Sequence, residues 1–164
     1  MNFDKLAFVD IETTGGSAYL DRVIEVGVLR VEKGKLKRTY STLIDPGTTI
    51  NPFITNITGI VQSDVDGAPS FHQIADELME ILDGCTFVAH NVRFDYGFLK
   101  SEFERAGMKF ESDHFCTAKL SRTLYPTFRR HNLDSIIERH NIVCENRHRA
   151  FDDAKVLWEF FKKI

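Results

Sequence analysis

The stretch Leu6-Ala-Phe-Val-Asp10-Ile-Glu12-Thr-Thr-Gly15 decides how this chain is read. Leu6 to Ile11 is an apolar run of strand length that ends in polar residues, so it reads as a buried strand reaching its exit. Residues two apart on a strand point to the same side, and Asp10 and Glu12 therefore project together from the strand end. Two carboxylates held side by side repel unless a cation sits between their oxygens. Mg²⁺ suits such a pair because it favours carboxylate oxygen. The plain alternative is two solvated acids at a strand exit, and a lone D-x-E leaves the two readings evenly matched. Thr13-Thr14-Gly15 tips the balance, because Gly15 lets backbone come close to a ligand.

Outward from that strand the pattern stays extended. Val23 to Val31 is rich in β-branched residues and reads as a second strand. Lys33-Gly34-Lys35 makes a turn, and Leu36 to Ile44 makes its hairpin partner, closed by Asp45-Pro46-Gly47. Short connections between three strands predict an antiparallel meander. The period then changes. Ser70 and Gln73 form a capping box, and Ile74, Leu78, Ile81 and Leu82 supply an apolar helical stripe up to Gly84. A short strand fits Cys85 to His90. Asn91 is placed to cap a helix running to Gly107, with Phe94, Phe98, Leu99 and Phe103 on its apolar face. Further helices fit Ala118–Leu124, Leu133–Asn141 and Ala150–Ile164. Strands first, then alternating strand and helix, predict an α/β domain with a mixed sheet.

Bulk properties bound the function. At 164 residues the chain reads as one domain with a sizeable core. Its 43% hydrophobic and 27% charged residues, with a mean hydropathy of -0.22, exclude global disorder. Phe supplies 14 of the aromatic residues, against 4 Tyr and 1 Trp, which favours core packing over surface recognition. Cys85, Cys116 and Cys144 are odd in number and far apart, so neither a disulfide framework nor a thiolate zinc site is expected. With no signal peptide and no membrane-length apolar run, the expected location is cytoplasmic and no membrane partner is expected. A net charge of -3 argues against a nonspecific nucleic-acid coat, which is usually basic. It does not argue against an enzyme whose acids hold metal.

Two more clusters could carry chemistry. Asp95 lies in the first turns of its helix beside apolar Phe94, Phe98 and Leu99, where an unpaired charge is costly. A metal ion, a salt bridge with Arg93 or the helix dipole would each satisfy it. In Arg147-His148-Arg149-Ala150-Phe-Asp152-Asp153, helical spacing separates the two acids. Asp153 shares a face with Ala150, Leu157 and Ile164, whereas Asp152 groups with Glu159 and Lys163 toward solvent. His148 precedes the helix and is free to swing over the same site. Arg129, Arg130, His131, Arg147 and Arg149 are cations that could guide phosphates.

Taken together, FVDIETTG, RVIEVGVLRV, the Ile57–Ile60 segment ITGI, AHNVRFDYGFL and HRAFDDA resemble the DEDDh exonucleases. More narrowly they resemble the DnaQ-like, epsilon-type proofreading exonuclease of bacterial DNA polymerase III. The resemblance runs from about residue 6 to the end. It implies an RNase H-like exonuclease fold: a mixed central sheet with three antiparallel first strands, flanked by helices. It implies that Asp10, Glu12, Asp95 and Asp153 hold two divalent cations, Mg²⁺ with Mn²⁺ as a substitute. His148 would be the general base. Thr13, Thr14 and Gly15 would approach the terminal nucleotide, Ile57 and Thr58 would contact its sugar and base, and Phe94 would pack against the frayed end. The implied activity is 3′→5′ hydrolysis at a single-stranded or frayed DNA 3′ end, with a polymerase catalytic subunit as the implied partner. The chain departs from the family in two ways. Cys116-Thr117-Ala118 stands where the family often carries Asp-Thr-Leu, and no clamp-binding tail follows. Because the chain stops at its final helix, residues 1–164 read as a bare catalytic domain, one that could be cut from something longer.

Rival readings use the same residues. An oligoribonuclease-like DEDDh enzyme would employ the same four acids on RNA. A haloacid-dehalogenase-type phosphatase would want D-x-D, and Glu12 occupies the second place. An inactive nucleic-acid-binding module would have no need of intact acids at all four positions.

Overall fold

The computed structural model describes residues 3–164. Strands β1 (Lys5–Thr13), β2 (Val23–Glu32), β3 (Lys35–Leu43), β4 (Thr86–Ala89) and β5 (His114–Cys116) form one sheet in the order β3-β2-β1-β4-β5. The first three are antiparallel, while β4 pairs parallel with β1 and β5 parallel with β4. The expected mixed sheet with an antiparallel meander is therefore what forms. The helices are α1 (Pro52–Thr58), α2 (Gln62–Val65), α3 (Phe71–Leu82), α4 (Arg93–Arg105), α5 (Thr117–Leu124), α6 (Leu133–His140) and α7 (Ala150–Phe161).

The alternation of β1 builds two cores. Ala7, Val9 and Ile11 pack on one face of the sheet with Phe71 and Leu78 of α3 and Phe98, Leu99 and Phe103 of α4. Leu6 and Phe8 pack on the other face with Ile136 of α6 and Ala154, Leu157 and Phe160 of α7. Asp10 and Glu12 continue the Leu6 and Phe8 series, so the strand period directs both acids to the α7 side. The capping box forms as expected. The Ser70 side chain accepts from the Gln73 N–H, and Gln73 Oε1 accepts from the Ser70 N–H at 2.9 Å.

Several local expectations are corrected. Asn91 is not the cap of α4; it takes a left-handed backbone (φ 60°), and Val92 precedes the helix. Phe94 stays in ring contact with Phe98, at 4.8 Å between centroids, but in the first turn it is 40% exposed, while Phe98, Leu99 and Phe103 are buried. The last helix stops at Phe161. Three elements went unforeseen: α1, capped by Asn51 with Pro52 in its first turn; α2; and the three-residue β5. All are too short to show a period.

Docking of α7 depends on β2. Gly27 lies opposite Asp10 in the ladder. A Cβ there would stand 2.4 Å from the Phe151 nitrogen and 2.5 Å from the Ala150 carbonyl carbon, both backbone atoms of the helix start. Nearby, Glu25 is buried and accepts from Arg149 Nη2 at 2.8 Å and from the Ala150 N–H at 3.0 Å. Gly27→Ala must push helix and strand apart, because backbone cannot swing aside as a side chain can. We expect a loss of about 1–3 kcal/mol in urea unfolding, the range for overpacking. An unchanged midpoint would show that the contact is not tight.

Candidate metal centre

Parallel β1 and β4 end side by side, and α4 begins just beyond β4. Ligand sites of α/β sheets form at such carboxyl ends. Asp10 and Glu12 reach this place from β1. Asp95 enters from the first turn of α4 with 3% exposure, its carboxylate accepting from its own N–H and that of Ile11. Asp153 enters from the first turn of α7, equally buried. Its Oδ2 accepts from the His148 N–H at 3.1 Å and from Arg147 Nη1. His148 stands immediately before α7 in a left-handed backbone conformation (φ 61°). Ligand atoms of Glu12, His148 and Asp153 all lie within 4.8 Å of one another. Asp152 is turned away, accepting from Asn146 Nδ2 at 2.9 Å.

The fold forces these acids together at an electrostatic cost. Burial raises the Asp10 pKa well above the usual carboxylate range, and Asp95, Asp153 and Glu12 raise it further, with Arg147 opposing. Asp10 keeps some exposed surface as a residue, but protein encloses its carboxyl group. Glu12 is pushed up to about 8 by burial, then by Asp153, Glu25 and Asp95. Burial also lifts Asp95 to about 8, against two backbone N–H donors, and Asp153 to about 6, against Arg147. Burial lowers the His148 pKa and Arg147 lowers it further, so the ring is neutral at neutral pH. Four oxygen donors that repel one another, with an imidazole at the rim, are a donor set suited to hard divalent cations.

The residues expected around a terminal nucleotide are placed less uniformly. Thr13 Oγ1 donates to the Gly15 carbonyl at 2.6 Å, and Thr14 Oγ1 accepts from the Arg22 N–H at 3.0 Å, so both hydroxyls serve the loop. A Cβ on Gly15 would come within 2.5 Å of the Asp21 carboxylate, which gives that glycine a packing reason. Thr58 is buried and donates to the Ile54 carbonyl. Ile57 and Phe94 do present exposed apolar surface. Of the cations expected to guide phosphates, Arg147 and Arg149 are paired with acids, and His131 bonds Ser121 and the Phe128 carbonyl. Arg129 and Arg130 are exposed.

Sequence reasoning passed over Glu25, whose clamp on Arg149 and Ala150 sets the approach of α7. The signal was present: an acid inside the β-branched run Val23–Val31 must find a partner. It also passed over His90, whose Nδ1 lies 3.0 Å from Thr117 Oγ1 and whose pKa burial lowers to about 4.

A family model described as "Exonuclease" matches residues 7–161. The chain belongs to this exonuclease family. It is 37% identical over 155 residues to a PolC-type DNA polymerase III of Caldanaerobacter subterraneus subsp. tengcongensis, covering 94% of this chain and 11% of that protein. It is 37% identical over 149 residues to the 3′-5′ exonuclease DinG of Staphylococcus saprophyticus, covering 90% and 17%. The exonuclease chain thus spans under a fifth of the length of these relatives. Its fold matches the nuclease domain of 3′hExo, a DEDDh family member solved with rAMP bound, with a TM-score of 0.82 at 19% identity over 98% of this chain and 90% of that one. The DEDDh exonuclease family uses divalent metal ions. Among the described residues, no helix is long and apolar enough to cross a membrane.

The raised carboxyl pKa values fix a pH dependence. Folding favours the protonated acids, so their contribution to stability is complete below their unfolded values near 4 and is lost as pH rises through about 6 for Asp153 and about 8 for Glu12 and Asp95. In EDTA the melting temperature should fall between pH 5 and 9. Saturating Mg²⁺ should restore more of it at pH 8 than at pH 5, and Asp10→Asn should flatten the EDTA curve. A melting temperature that rises with pH in EDTA would contradict the repulsion.

Proposed function

We propose that residues 1–164 form a single catalytic domain that removes nucleotides from the 3′ end of single-stranded or frayed DNA and releases 5′-mononucleotides. The observation that carries this is the convergence of Asp10, Glu12, Asp95 and Asp153 with His148 at one strand end. The kinship with PolC-type polymerase and DinG supports DNA as the polymer and replication or repair as the setting. A polymerase catalytic subunit is the partner this kinship suggests.

The chemistry follows from the side chains. Asp10, Glu12, Asp95 and Asp153 would hold two divalent cations, Mg²⁺ with Mn²⁺ as a substitute. Bound there, such ions would stabilise charge on the attacking and leaving oxygens of the phosphodiester. His148, neutral and at the rim, accepts a proton from the attacking water. Ile57 and Phe94 offer apolar surface to the terminal sugar and base. Thr13, Thr14, Gly15 and Thr58 shape the backbone beneath them rather than lending free hydroxyls. A frayed end is preferred because extracting a paired nucleotide costs unstacking energy, about a few kcal/mol.

Digestion of end-labelled single-stranded DNA and RNA, in Mg²⁺ or EDTA, tests the reading. DNA should shorten from its 3′ end only with metal; equal or faster digestion of RNA would favour the oligoribonuclease-like alternative. Asp153→Asn should remove nearly all activity and Asp152→Asn should spare most. His148→Ala should cost about 10²–10⁴-fold, as loss of a general base does, while metal binding survives. Attack from the 5′ end, or undiminished activity in EDTA, overturns the proposal.

A further inference from the structure

Within the acid cluster sits a cation of the chain's own. The Arg147 side chain is only 26% exposed and spans two carboxylates. Its Nη1 bonds Asp153 Oδ2, which is 4% exposed as a side chain, and its Nε bonds Asp134 Oδ1 at 2.6 Å, where the side chain is 62% exposed. One partner is thus a predicted metal ligand within the site. The other, Asp134, stands in the first turn of α6 and is not one of the four clustered acids.

We propose that Arg147 is the counter-ion of the acid cluster, that it competes with a divalent cation for Asp153, and that Asp134 is its resting place once the cation binds. This rests on the metal-binding role proposed above. The charge balance gives the argument its direction. Without metal, Arg147 faces the four acids and balances the charge of Asp153, which it contacts. Two divalent cations would bring four positive charges to four carboxylates, and a fifth positive charge among them is surplus. Asp153 Oδ2 already accepts from the His148 N–H. An oxygen serving that donor and a guanidinium has little room left for a cation. Because Asp134 is bound through a different nitrogen, Nη1 can release Asp153 while Nε stays held. The site therefore opens by a rotation about a fixed point, without an exposed, unpaired arginine.

The test is calorimetric titration of the chelator-stripped full chain with Mn²⁺, without nucleic acid. Arg147→Gln should bind Mn²⁺ on the order of tenfold more tightly than wild type, because one like charge is removed from the site. Asp134→Asn should bind a few-fold more weakly, because Arg147 then has only Asp153 to hold. In the double variant the Asp134→Asn effect should vanish. Melting in EDTA should show Arg147→Gln folded but less stable than wild type at pH 8. Asp134→Asn changes an exposed side chain, and its folding is not in question. If Arg147→Gln leaves the affinity unchanged or weakens it, or if Asp134→Asn does not change it, the competition is overturned while the metal site stands. If wild type binds no Mn²⁺, both readings fail together.

Discussion

Mutual repulsion among buried carboxylates is the constraint around which this molecule is arranged. An isolated buried charge is expensive, and several like charges in one enclosure are more so. A fold can hold such a group only if the surrounding structure is strong enough to impose it. Here that strength comes from two packed cores, one on each face of the sheet, anchored by fully buried Phe8, Phe71, Phe87, Phe98, Phe103 and Phe160. The acids sit where the strands run out and the packing stops. Local destabilisation at a site held by an otherwise well-packed scaffold is a usual sign of function.

Three separate pieces of chain meet at that place, and each is held by its own device. The strand period turns Asp10 and Glu12 to one side. Backbone donors hold Asp95 at the start of α4. The buried Glu25, with Arg149 and the Ala150 N–H, pins α7 against β2, and Gly27 leaves the space for that close approach. A parallel restraint acts at the β1–β2 loop. Glu102 of α4 is buried, pairs with Arg22 at 2.8 Å and accepts from the Val23 N–H. The loop that follows Glu12 is therefore braced from both ends, since Thr14 also pairs with Arg22 across it.

Features with a local period were legible in the sequence. The alternation of β1 placed its two acids on one face, and the helical spacing of α7 separated buried Asp153 from Asp152. The β-branched run and the turn at Lys33-Gly34 gave the meander. Short elements such as α1, α2 and β5 were illegible because a few residues cannot display a repeat. Asn91 looked like a cap because caps favour Asn, yet its left-handed backbone stands one step ahead of the helix, and Phe94 in the first turn is left partly exposed. Pairings distant in sequence left little local trace. Arg147 and Arg149 looked like free phosphate-guiding cations, whereas each is committed to an acid that only the tertiary fold brings near.

The central claim is that the fold holds protonated acids which a divalent cation must deprotonate in order to bind. Proton release on metal binding measures this directly. Mn²⁺ titrations at pH 7 in buffers of different ionisation enthalpy separate binding heat from proton transfer. With Glu12 and Asp95 both lifted to about 8, and Asp10 raised as well, saturating the site should release about two protons per chain or more. Metal binding with no proton release would mean that the acids are already ionised, and would contradict the account at its root.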